Sequence, residues 1–188
     1  MTSTDIVIIA AVNLFLLWFS WWFSLKEGRF HGIPRFFGFS GLFLLTWFNF
    51  RFWFDEAFSL RQIVSWLLLF LSLFYLINAL YFYVKYAKPA GMPENATQLI
   101  SKGIYRYLRH PMYGSLMFLT LGVYLKHPDI LASIIATLCM VAFYITAMVE
   151  EGEMIRKFGS DYEMYRKDTG MFLPDISRNL FKKRRVNT

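Results

Sequence analysis

Five apolar runs dictate what this chain can fold into. They cover Ile6 to Leu25, Phe36 to Phe54, Gln62 to Val84, Met112 to Leu125 and Ile130 to Val149. A helix that crosses a bilayer needs about 20 predominantly apolar residues, with about 17 as the lower limit. Four runs meet that length. The fourth is short, and is expected either to thin the bilayer locally or to form a partial hairpin with the fifth. Both options return the chain to the same side. With no water in the bilayer core, each run must satisfy its backbone internally as a helix. The expected fold is therefore an all-α membrane protein of about five transmembrane helices, with a C-terminal helical hairpin and cytosolic segments that flank it. Residues 1–84 supply three helices. Residues 85–188 supply a core of binding loop, hairpin, amphipathic helix and basic tail.

The chain is 56% hydrophobic and 18% charged, where a soluble domain has about 45–50% apolar and about 25% charged residues. That excess lies in the runs, which argues for the bilayer over a rich soluble core. No positive segment precedes the first run and no small-residue cleavage site follows it, so it is expected to stay. With the N-terminus outside and every run crossing, 17 of the 20 basic residues face one side; Arg51, Arg61 and Lys126 face the other. That bias predicts an integral protein of the cytoplasmic membrane, N-terminus outside and C-terminus cytosolic. The net charge of +7 then reads as attraction to an anionic leaflet, and no nucleic-acid motif accompanies it. Cys139, the single cysteine, lies in the fifth run as a small packing residue. His31, His110 and His127 are scattered, and no metal set is expected. Asn13, Asn49 and Asn78 are polar at membrane depth, and either line a tunnel or bond between helices.

The residues that carry chemistry flank the last two runs. In Arg109-His110-Pro111 the proline suits a first helical turn and pushes His110 out of helical geometry. This places His110 at a helix entrance, with its side chain free to cross the mouth, beside unpaired backbone N–H groups that attract an anion. Arg109 adds a fixed planar cation. Glu150 and Glu151 follow the last apolar residue of the fifth run, at or near a helix C-terminus, where negative charge opposes the macrodipole by about 0.3–1 kcal/mol. Such a pair calls for a ligand ammonium or a ribose diol, or for simple ion pairing to Arg106, Arg109 or Arg156. If the two runs form a hairpin, both sites meet at the cytosolic end, with Tyr105, Tyr107 and Tyr113 offering ring faces near by. The interval Lys85 to Arg109 carries Pro89, Gly91 and Pro93, reads as a binding segment, and forms no continuous helix. Further on, Met154, Phe158, Tyr162 and Tyr165 share one helical face. Gly159 is expected to end one piece, and Ser160 or Asp161 to cap the next.

The stretch Leu99 to Pro174 resembles the C-terminal part of isoprenylcysteine carboxyl methyltransferases and their prokaryotic relatives, a group related to phospholipid N-methyltransferases. The matching pieces are Gly103-Ile104-Tyr105-Arg106, Arg109-His110-Pro111-Met112-Tyr113, Glu150-Glu151, Phe158-Gly159 with Tyr162 and Tyr165, and Gly170 to Pro174. The resemblance implies a cytosolic S-adenosylmethionine site lined by Ile100, Gly103, Tyr105, His110, Pro111, Tyr113, Glu150 and Glu151. Arg109 would stand nearest an acceptor that arrives from the bilayer. The acceptor implied is lipophilic or membrane-soluble: a prenylcysteine-like carboxylate, a phospholipid amine or a thiol. A carboxylate acceptor needs no base, whereas a thiol or amine benefits from one, and Glu150 or Glu151 is the nearest candidate. The alternatives are a non-catalytic partner-binding protein on the same scaffold and a membrane reductase of related architecture, for which no nicotinamide fingerprint is present.

Overall fold

The computed structural model describes residues 2–87 and 97–175, all helix and connecting turns. The proline-rich middle of the expected binding segment, Pro89 to Pro93, and the basic tail Lys182 to Arg185 lie outside the described residues. Six α-helices follow one another: α1 Ser3–Phe23, α2 Gly32–Asn49, α3 Leu60–Tyr86, α4 Pro111–Tyr124, α5 Ile130–Phe158 and α6 Ser160–Asp168. Their starts obey local rules. Thr2 and Asp5 close a reciprocal capping box on α1. Ser59 and Asp129 cap α3 and α5 by accepting from Gln62 N and Ala132 N.

Among the described residues, three helical stretches are long and apolar enough to cross a membrane: Ser3–Glu27, Leu60–Tyr86 and Ile130–Phe158. The fourth run becomes α4, 14 residues long; at 1.5 Å per residue this is about 21 Å, short of the hydrocarbon thickness. It packs on α3 and α5 and so is sheltered by protein. The second run starts earlier than the apolar stretch itself. Pro34 sits in the first turn of α2, and Arg35, just outside the second apolar run, lies inside that helix and is buried.

The helices meet on small residues. A Cβ on Gly38 would touch the Phe143 ring at 2.6 Å, and one on Gly41 the Cys139 sulfur at 2.6 Å. Close approach of this kind replaces hydrophobic driving force between membrane helices. α2 thus lies along α5, and α3 along α4. At one end of the bundle, Asn49 Nδ2 donates to Val123 O at 3.0 Å, Ser65 Oγ to Gly122 O at 2.7 Å, and Lys126 Nζ to Gln62 Oε1 at 2.9 Å. Of the three membrane-depth asparagines, Asn49 therefore bonds between helices. Asn13 and Asn78 instead donate to the carbonyls of Ile9 and Phe74, four residues back on their own helices. The opposite end gathers the α1–α2 link, the C-terminus of α3, the N-terminus of α4 and the end of α5. This is the end that holds most of the basic residues.

Candidate active site

Glu151 is the hub of that end. Its side chain is 4% exposed. Oε1 accepts from Arg109 Nε at 2.7 Å and Oε2 pairs with Arg166 Nε at 3.0 Å. His110 Nε2 stands 3.5 Å from Oε1. The Arg109 guanidinium also donates to the carbonyls of Arg166 and Thr169. Three elements are thereby clasped: the residue pair entering α4, the end of α5, and α6 with the segment after it.

The backbone repeats this clasp. Gly170 N donates to Tyr107 O, Arg109 N to Gly170 O and His110 N to Met171 O, at 2.9–3.0 Å, a short bridge between Leu108 and Gly170. The Tyr165 hydroxyl donates to Tyr105 O at 2.7 Å and Leu108 O at 3.1 Å. α6 thus folds back against the segment that leads into α4.

Two expectations about geometry change. Glu150 and Glu151 are not at a helix end. α5 runs on to Phe158 and stops at Gly159, whose φ of +55° suits glycine alone. Hydropathy marked the end of the apolar run, but Met154, Ile155 and Phe158 carry the helix about two turns further. The macrodipole penalty therefore does not arise, and Glu151 is held by side chains. Gly159 itself also occupies the cap position of α6, and neither Ser160 nor Asp161 caps it; Asp161 sits in its first turn. Second, the His110 side chain does not swing across an open mouth. It is 5% exposed, with ring centroids of Tyr113 at 5.8 Å and Phe172 at 6.2 Å. Pro111 occupies the first turn of α4, as the spacing predicts.

The other expected residues fall into two groups. Ile100 and Tyr105 are buried in a cluster with Ala79 and Ala87, against Phe82, Tyr83 and Tyr86. Gly103, at φ +59°, lets the Phe82 ring come within 2.1 Å of where a Cβ would be. These residues seat the pre-hairpin loop on α3. Glu150 is different. Ala132, Ala136, Cys139, Phe143 and Ala147 form a buried stripe along α5 at helical spacing, and Glu150 is the next position on it. The carboxylate is half-buried and makes no ion pair or hydrogen bond among the described residues. It lies near the phenols of Tyr105 and Tyr162, whose pKa values rise through burial first and then through nearby carboxylates, Glu150 for Tyr105, and Glu151 and Glu150 for Tyr162. The end of the bundle thus presents one locked carboxylate and one open one, side by side.

Sequence reasoning missed Arg166, Thr169 and Phe172, which close the clasp from beyond α5. It also missed Glu153, which His31 reaches from the α1–α2 link. The signal for Glu153 was present: a third acid three residues after Glu150, in a segment that is otherwise basic.

A family model described as phospholipid methyltransferase matches residues 60–161, more than half of the chain and the whole stretch from α3 into α6. Among curated proteins, protein-S-isoprenylcysteine O-methyltransferase of Schizosaccharomyces pombe is 30% identical over 79 residues, 42% of this chain and 34% of that protein. Methanethiol S-methyltransferase of Pseudomonas deceptionensis is 32% identical over 79 residues, 40% of this chain and 28% of that protein. The matches span about a third of the length of these relatives. No solved structure matches the chain.

Proposed function

Because this chain belongs to the phospholipid methyltransferase family, we propose that it is an integral membrane enzyme that methylates a lipophilic or membrane-soluble acceptor with S-adenosylmethionine. The observation that carries the reading is the pairing of a locked Glu151 with an open Glu150 beside a buried His110. His110 Nε2 is buried, makes no hydrogen bond among the described residues and approaches Glu151 Oε1 only to 3.5 Å, and a buried polar atom left without a hydrogen bond costs about 1–3 kcal/mol. Such an atom, an open carboxylate and the rings of Tyr105 and Tyr113 suit a ligand with an ammonium or ribose diol at one end and an aromatic base at the other. The donor set therefore fits the cofactor.

Glu150 and His110 would hold the cofactor's polar groups, and Tyr105 and Tyr113 would flank its base. When bound, the cofactor supplies an already activated methyl group. The protein's task is alignment and exclusion of water. Arg109, expected beside the acceptor, keeps its guanidinium on Glu151 and two carbonyls, so it fixes the walls of the site. Ile100, Gly103 and Pro111 set the loop and helix entrance, and Glu151 anchors the clasp. The two named relatives act on an isoprenylcysteine and on methanethiol, which supports an acceptor with an apolar body. The gathering of basic residues at the site's end of the bundle supports a cytosolic site in a bilayer, with the N-terminus outside.

Calorimetric titration of the purified protein in detergent with S-adenosylhomocysteine tests the reading. Wild type binds. Glu150→Gln weakens binding by about tenfold or more, the scale of one lost charged hydrogen bond, with unchanged thermal stability. Absence of binding by wild type overturns the assignment.

A further inference from the structure

A second buried polar cluster lies further along α5, where the α1–α2 link meets it. Glu153 is three residues beyond Glu150, so the two share adjacent strips of the helix surface, whereas Glu151 faces away towards α4 and α6. His31 Nδ1 meets Glu153 Oε2 at 2.8 Å, with side chains 4% and 12% exposed. An ionised carboxylate only accepts hydrogen bonds, so Nδ1 carries the hydrogen and donates it. His31 Nε2 stands 3.3 Å from Ser24 Oγ, and Arg35 Nη2 donates to that same oxygen at 2.7 Å. His31, Ser24 and Arg35 are all buried. Gly32 makes the crossing possible: a Cβ there would meet Ser24 Cβ at 2.8 Å. The second carboxylate oxygen, Glu153 Oε1, is buried and has no hydrogen-bond partner among the described residues.

A carboxylate fixed at one oxygen by an oriented imidazole, with its other oxygen buried and bare, has the layout of a proton acceptor. Ionisable groups kept in the apolar zone of a membrane chain mark functional paths. Neither neighbouring acid has the same equipment. Both oxygens of Glu151 face arginines, and Glu150 has no orienting partner. Resting on the methyltransferase reading above, we propose that Glu153, oriented by His31, is the general base for an acceptor that carries its own proton, a thiol or an amine, and that the enzyme therefore favours such acceptors over carboxylates.

In that step the S–H or N–H bond of the acceptor breaks as its new bond to the methyl carbon forms. The sulfonium–methyl bond of the donor breaks with its electron pair left on the donor sulfur, and the acceptor's proton passes to Glu153 Oε1. A carboxylate acceptor releases no proton and has no use for the base. The charged and titratable groups that act on Glu153 are His31 and Arg29 from the α1–α2 link; Arg35 joins the cluster through Ser24, Lys157, one turn further along α5, neighbours Arg29, and Glu150 lies one turn before Glu153 on the same helix.

The test uses full-length wild type, Glu153→Gln and His31→Gln in lipid nanodiscs, with methyl-labelled cofactor and three acceptors: an alkyl thiol, a long-chain amine and a prenylated cysteine carboxylate. S-adenosylhomocysteine affinity is measured on each protein. The expected result is labelling of the thiol or amine by wild type. Glu153→Gln then lowers kcat/KM by about 100-fold at neutral pH, the usual scale of a positioned base. Its rate recovers towards that of wild type as pH passes the acceptor's own pKa, while cofactor affinity stays within about twofold. His31→Gln gives a smaller loss of the same pH signature. A merely structural role moves rates at all pH values together. Labelling of the carboxylate alone, or a Glu153→Gln pH profile parallel to wild type, overturns the proposal and leaves the methyltransferase reading standing. Failure of wild type to bind S-adenosylhomocysteine removes both.

Discussion

Arg109 Nε and Glu151 Oε1 lie 2.7 Å apart, with the two side chains 10% and 4% exposed, and this contact joins the entrance of α4 to the end of α5. Burying both charges costs several kcal/mol per ion, which the mutual attraction offsets only while the partners stay together. Arg109→Met leaves Glu151 buried with the half-exposed Arg166 as its remaining arginine. The expected cost is about 3–5 kcal/mol, read as a large fall in Tm in detergent. The double variant Arg109→Met/Glu151→Leu removes both charges and loses less than the single one. A double variant as unstable as the sum of the singles would show that the contact is not a coupled pair.

How much of this was legible beforehand divides along physical lines. The all-helical architecture and the convergence of His110 with Glu151 follow from run lengths and from the short α4–α5 connection. The partners of the carboxylates do not. His31 and Glu153 are 122 residues apart, and nothing in either neighbourhood specifies the other. The extent of α5 was hidden because an apolar run ends where lipid contact ends, while the helix ends where its hydrogen bonding is broken, at Gly159. Arg35 falls outside the second apolar run for the same reason: hydropathy sees its charge, and the Ser24 oxygen that accepts its hydrogen bond lies at the C-terminal cap of α1. Gly103, by contrast, was quoted as part of a motif, and its packing reason emerges only from the Phe82 ring.

Gly103→Ala meets two obstacles at once. The backbone sits at φ +59°, and the Phe82 ring occupies the place of the new Cβ at 2.1–2.3 Å. Left-handed geometry costs a non-glycine residue about 1–2 kcal/mol, and the ring must move in addition. The variant is expected to loosen the loop at residues 97–110 from α3, seen as faster hydrogen exchange there. Adding Phe82→Leu relieves the clash but not the backbone term, so rescue is partial. Full rescue, or exchange unchanged in the single variant, would contradict this account.

Tyr165→Phe deletes one hydroxyl and strands two carbonyls, those of Tyr105 and Leu108. The expected loss is about 1–3 kcal/mol. It is local: α6 and residues 104–108 lose protection in hydrogen exchange while α2 and the α1–α2 link keep theirs. Uniform loss across the bundle would mean that α6 is part of a single cooperative core.

The alkaline limb of stability is set by opposing groups. Burial, together with the neighbouring carboxylates at Tyr105 and Tyr162, raises the pKa of Tyr105, Tyr162 and Tyr165. Above the ordinary tyrosine value of about 10, the unfolded chain gives up protons that the native protein keeps, so stability falls with rising pH. Lys126 works in the other direction. It is fully buried against the Trp66 ring at 3.8 Å, and burial, then Arg61, lowers its pKa. Between that lowered value and the ordinary lysine value of about 10.4, the unfolded chain holds the extra proton, so stability rises with pH. The expected profile in detergent climbs gently on the approach to pH about 10 and drops beyond it. Lys126→Met flattens the climb and leaves the drop, whereas Tyr165→Phe lessens the drop and leaves the climb. A climb that persists in Lys126→Met would show that Lys126 keeps its proton throughout, held by Gln62 and the rings of Trp53 and Trp66.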